Sequence, residues 1–134
     1  MSLGKHQVNE FKTSGVLVVE GILTQADLQP VIEAIENFLD RRAEKLLQEG
    51  KIKNLYSDTP FLTRFARLYK QNREIDIGLD IMQMQSRPIF EFLHNQNLLD
   101  ALQSILGSEI TCSPIQHLRA KAPDRLNEKP NARH

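Results

Sequence analysis

Gly107 separates two incompatible periodicities, and the change of period there constrains the fold more than any other feature of the chain. Before it, Leu98, Leu99, Ala101, Leu102, Ile105 and Leu106 repeat at the spacing of one helical stripe. Asn97 is placed to cap that helix, and the glycine sits where a left-handed stop residue belongs. After it the pattern alternates. Ile110, Cys112 and Leu118 share one parity; Thr111, Ser113, Ile115, His117 and Arg119 share the other. Alternation of that kind predicts a strand over Glu109–Ala120 with two unlike faces. Pro114 cannot donate to a ladder, so the strand belongs at an edge or carries a bulge. One face ends in His117, Arg119 and Lys121, a polar cluster of the kind that walls a binding site.

The remaining composition narrows the class. With 134 residues, 40% of them hydrophobic and 25% charged, residues 1–134 suit a single globular domain. Seventeen basic residues balance seventeen acidic ones. A zero balance supplies no basic stripe, so nucleic acid is not an expected partner. No apolar run approaches the roughly 18 residues of a membrane span, so a membrane is not expected either. Cys112 is the one cysteine, which excludes an internal disulfide and a cysteine-based zinc knuckle. A single thiol and no signal peptide give a cytoplasmic expectation.

Further helices follow from spacing. Val8 and Phe11 mark an inner side over Gln7–Ser14, with Gly15 as the stop. Val16–Val19 is a β-branched run of strand type. Pro30 would cost a helix starting at Thr24 an internal hydrogen bond, so the simpler reading makes Asp27 the N-cap. From there Val31, Ile35, Phe38, Leu39, Leu46 and Leu47 keep helical spacing, predicting a helix over Asp27–Glu49. Its opposite face, from Glu33 to Lys45, reads as solvated charge. Thr59-Pro60 opens a helix over Pro60–Gln71, with Phe61, Leu62, Phe65, Leu68 and Tyr69 buried and Arg64, Arg67 and Lys70 facing away. Residues 71–80 are ambiguous, because Ile75, Ile77 and Leu79 alternate within a short acidic stretch. A short helix over Arg87–Leu93 precedes the one over Leu98–Leu106. Beyond Asp124 the sequence is polar and has nothing to bury.

Few residues point to chemistry on their own. No H-x-D, H-E-x-x-H, C-x-x-C, glycine-rich phosphate loop or G-x-S-x-G is present. His6 lies near a terminus, and His94 falls between two helices as a surface or capping residue. Cys112 reads as a small buried hydrophobe rather than a nucleophile. His117 stands out, because Arg119 shares its strand face, and that pair suits an anionic ligand.

The order of these features carries a resemblance. Phe11-x-x-x-Gly15-Val-Leu-Val-Val-Glu-Gly21 precedes the long helix. Later come Leu98-Leu99-Asp100-Ala101-Leu102, Ile105-Leu106-Gly107-Ser108-Glu109-Ile110 and Ser113-Pro114-Ile115-Gln116-His117-Leu118-Arg119-Ala120-Lys121. Over about Phe11–Asp124 this resembles the N-terminal part of the phytanoyl-CoA dioxygenase family. Its members are non-haem Fe(II) enzymes that use 2-oxoglutarate and O₂ to hydroxylate small-molecule substrates. The resemblance implies that the strand through Lys121 lines the cosubstrate pocket. His117 is the best match for a cofactor-binding side chain there, with Gln116 and Arg119 as weaker matches. The family's H-x-D iron motif follows that strand, yet the sequence reaches His134 without one. The expectation is therefore an N-terminal portion lacking the metal-binding half. It has no catalytic residue and no metal ligand of its own, and it binds neither iron nor 2-oxoglutarate tightly.

The predicted fold is α+β: helices packed on a small antiparallel sheet of Val16–Val19 and Glu109–Ala120, an incomplete double-stranded β-helix, or jelly roll. Failure of Val16–Val19 to pair with either Ile110 or Leu118 would count against the family. The alternative function is a non-catalytic helical interaction module. It would self-associate into a homo-oligomer through the Glu109–Ala120 strand or the Phe61–Tyr69 helix, because unpaired edges and uncovered apolar faces drive association.

Overall fold

The computed structural model describes residues 1–80, 82–113 and 118–121. Five α-helices follow in order: α1 (Lys5–Ser14), α2 (Gln25–Gln48), α3 (Phe61–Gln71), α4 (Arg87–Leu93) and α5 (Gln96–Leu106). A single 3₁₀ turn, Arg73–Asp76, fills the stretch whose periodicity was ambiguous, and it exists to bury Ile75. Each helix lies within two residues of the span its apolar spacing predicts.

The α+β expectation is overturned. Among the described residues every regular element is helical, and there is neither a strand nor a sheet. Val16–Val19 pairs with none of the described residues of the 109–120 segment, and the incomplete jelly roll is not formed among them. The physical reason is that strand propensity measures fit to a sheet surface rather than a backbone preference. A β-branched run with no neighbour to share hydrogen bonds gains nothing from being a strand, and an isolated two-stranded pairing is marginal in water. Helices close their hydrogen bonds within the segment and need only an apolar stripe.

That stripe builds the core. On α2, Leu39, Ala43 and Leu46 recur at i, i+4 and i+7 and are fully buried. They meet Leu68 of α3, Ile52 from the connecting loop and Ile75 from the 3₁₀ turn. Phe38, Tyr56, Phe65 and Tyr69 pack around this cluster, and the Phe65 and Tyr69 rings stack with centroids 5.6 Å apart. The other half of α2 packs against α4, whose Ile89 is buried.

Two local readings need correction. Thr24, not Asp27, is the N-cap of α2: Asp27 N–H donates to Thr24 Oγ1 at 3.2 Å, and Asp27 Oδ2 accepts from the Thr24 N–H at 2.7 Å. This reciprocal capping box satisfies two end donors. It holds the helix start upstream of Pro30, although the proline inside α2 has no N–H to donate. Likewise Asn95, not Asn97, caps α5, accepting from Leu98 N–H at 3.0 Å. Asn97 is drawn elsewhere, to Asp27.

Candidate functional site

The sequence placed the site on Gln116, His117 and Arg119. Gln116 and His117 lie outside the described residues. Arg119 and Lys121 are exposed on non-helical chain, and Leu118 between them is half-buried. Cys112, expected as a buried hydrophobe, is exposed. The segment that carries it leaves α5 at Gly107, whose φ of 95° is open to glycine but strained for a side chain.

A groove of about 610 Å³ runs beside this segment. Its apolar lining comes from α4 (Ile89, Phe90, Leu93), from Leu99 of α5, and from Met82 and Ile110 on the flanking chain. Ser86, His94, Gln103, Cys112 and Ser113 add polar atoms to the wall. The volume falls in the range of small-ligand sites, which are mostly apolar with a few polar groups. Phe90 and Met82 are largely exposed, so the groove is open on one side.

His94 is held rather than loose in this wall. Its ring lies 4.3 Å from the Phe90 ring, and Nδ1 is 2.8 Å from the Phe90 carbonyl oxygen. A carbonyl only accepts, so Nδ1 carries the hydrogen that makes this contact. The sequence reading of His94 as a surface residue between helices therefore stands, with the groove wall added to it.

A second, polar concavity follows the acidic face of α2. Glu33, Glu36, Asp40 and Glu44 line it together with Ser57 and Arg64. Arg64 contradicts the expectation that it faces away: it is buried, and its guanidinium donates to Asp40 Oδ1 and to the Leu55 carbonyl. The signal was present, because Phe61, Arg64 and Leu68 are spaced i, i+3 and i+7 on one stripe. Charge alone argued for the surface. The pairing joins α2, the loop before α3, and α3 itself.

A third cluster joins the start of α2 to the start of α5. The Asp27 carboxylate accepts from Thr24 N–H and Oγ1, from Asn95 Nδ2 at 2.7 Å and from Asn97 Nδ2 at 3.2 Å. The Thr24 backbone N–H is the largest influence, followed by the Thr24 hydroxyl and Asn95. Together they pull the Asp27 carboxyl down from 3.8 to about 2. The cluster fixes the α4–α5 junction, and thereby the groove, against the start of α2. Nearby, Leu3 N–H donates to Ser104 Oγ of α5 and the Met1 amine pairs with Asp100, both at 2.9 Å.

The described residues do not assemble an iron site. Among the described residues no three His, Cys, Asp or Glu side chains converge on one point, and the sequence has no H-x-D. No helix among the described residues is long and apolar enough to cross a membrane. No protein-family model matches the chain, and no curated protein or solved structure matches it significantly.

Proposed function

We propose that the chain is the helical N-terminal part of a 2-oxoglutarate-dependent oxygenase of the phytanoyl-CoA dioxygenase kind, acting as a non-catalytic support. The order of elements carries this reading. A helix ending at Gly15, the Val16–Val19 run and the long α2 come first. Much later α5 stops at Gly107, where a non-helical segment leads toward Arg119 and Lys121. Val16–Val19 pairs with neither Ile110 nor Leu118, which counts heavily against the family, and only the order of the helical elements still supports the reading. Iron ligands and the clamp for 2-oxoglutarate then belong to residues other than those of this chain, and the small-molecule substrate with them. The cytoplasm is the compartment we assign, on the strength of one exposed thiol.

The test is the reading frame that follows the last codon. A continuing frame encoding H-x-D and a distal histidine, whose product forms succinate from 2-oxoglutarate with Fe(II), supports the oxygenase. A stop codon, or a frame lacking both motifs, overturns it.

A specific observation favours a second reading, self-association. Val16, Val18, Leu62, Phe90 and Leu106 are all exposed, apolar surface that a second copy would remove from water. Sedimentation of the 134-residue chain as a monomer at every concentration sinks that reading.

A further inference from the structure

We infer that the groove beside α4 binds an uncharged, largely apolar small molecule bearing a hydroxyl group. The inference stands apart from the oxygenase reading and from self-association, since it uses only the lining of this groove. Size is the first observation. About 610 Å³ is the volume of a small-ligand pocket. A stable protein partner covers about 800 Å² on each side, a far broader surface than this concavity offers. Buried Ile89 lies in the lining, and Phe90, Leu93, Leu99 and Ile110 add further apolar wall from α4, α5 and the chain after Gly107.

The chemistry of the wall selects the class of ligand. None of the described residues that line the groove is Lys, Arg, Asp or Glu, although 25% of the chain is charged. A carboxylate or an ammonium moved into it would lose hydration and meet no opposite charge. An uncharged apolar body avoids that loss and gains by leaving water. The polar atoms of the wall set the rest. Ser86 and Gln103 line it with neutral groups that both donate and accept. His94 uses Nδ1 on the Phe90 carbonyl at 2.8 Å, so Nε2 is the ring nitrogen left for a ligand. A hydroxyl meets Nε2 in either protonation state, donating to it or accepting from it. A carbonyl meets it only when Nε2 carries a hydrogen.

Fluorescence titration of the full 134-residue chain with the neutral probe N-phenyl-1-naphthylamine tests the proposal. Binding saturates, and 1-decanol displaces the probe about tenfold better than decanoate, which has the same chain length and a charged end. Gln103→Lys, which sets a cation in the wall, erases that advantage. Phe90→Ala, at an exposed wall position, weakens probe binding about tenfold while circular dichroism shows the helices retained. Leu62→Ala, at an exposed leucine of α3, changes nothing. The bound probe also slows alkylation of Cys112 by iodoacetamide, because this thiol, the one cysteine of the chain, lies in the groove wall. Displacement by decanoate as readily as by 1-decanol overturns the uncharged class. The absence of saturable binding, or binding that leaves Cys112 alkylation unchanged, overturns the groove as the site.

Discussion

Arg64 and Asp40 form an ion pair with one end in the core and the other in water. The guanidinium nitrogen lies 2.5 Å from Oδ1, the Arg64 side chain is 4% exposed and that of Asp40 is 47% exposed. The asymmetry decides what each substitution does. Removing the aspartate leaves a buried cation with only the Leu55 carbonyl for company. Removing the arginine leaves a carboxylate that water can solvate, but opens a gap between α2 and α3.

Asp40→Asn is therefore expected to cost about 1–2 kcal/mol, below the full penalty of a buried broken pair because the site is half open. Arg64→Met, which keeps the stem and drops the charge, costs less than Arg64→Ala, which loses about 2–4 kcal/mol. Urea unfolding followed by circular dichroism measures all three. Equal losses for Arg64→Met and Arg64→Ala would show that packing contributes nothing at this position.

Asp27 gives the fold a pH dependence with a definite sign. Its hydrogen bonds hold the folded carboxyl at about 2 against an ordinary 3.8. A depressed folded value stabilises the folded state above the unfolded pKa, and that contribution fades as pH falls from 3.8 toward 2. Asp27→Ala should be less stable than the wild type by a constant margin at neutral pH. The margin should shrink below pH 4, seen in melting curves recorded across that range. A margin that persists unchanged to the acid end would mean the stabilisation comes from shape rather than charge.

How much of this was legible in the sequence depends on which interactions are local. The helices were, because apolar stripes such as Ile35, Leu39 and Leu46 and stop residues such as Gly15 act within a few residues. The sheet was misread because Val16–Val19 has the composition of a strand, while a strand is decided by its partner. Arg64 was misread because charge was weighed over position. Asn97 was taken as the cap from its place before Leu98, but Asn95 is the cap, and both asparagines also donate to Asp27, far away in sequence. The groove was invisible, since its wall is assembled from α4, α5 and the chain after Gly107. The residues proposed from the resemblance, Gln116 and His117, fall outside the described chain, and only Arg119 has an assigned environment.

Leu68 and Leu62 occupy one helix and should behave oppositely. Leu68 is fully buried among the α2 side chains, whereas Leu62, expected on the same buried stripe, falls on the outer face of α3 and is 87% exposed. Leu68→Ala is expected to lose about 2–5 kcal/mol through lost burial and the cavity it leaves. Leu62→Ala should stay within about 0.5 kcal/mol of wild type. Denaturant midpoints compare the two directly. A substantial loss at Leu62 would reveal a partner surface on α3 and place the self-association contact there.

The last prediction concerns the family's cofactors. Iron in such enzymes needs three converging nitrogen and oxygen ligands, with positions left open for the cosubstrate. Among the described residues no such group converges, and Arg119, one of the proposed contacts to 2-oxoglutarate, stands exposed to water. An exposed cation gives an anion a screened attraction and no bidentate enclosure. Binding of 2-oxoglutarate to the 134-residue chain is therefore expected at about a millimolar or weaker. Arg119→Ala should weaken it further, while Arg87→Ala, at an exposed cation of α4 already paired with Glu91, should not. Titration calorimetry with and without Fe(II), alongside a succinate assay, reads both quantities. Micromolar binding, or succinate above the no-protein control, would show that the chain assembles a metal site from residues to which the resemblance gives no metal-ligand role. His117 and His134 would then be the first to substitute.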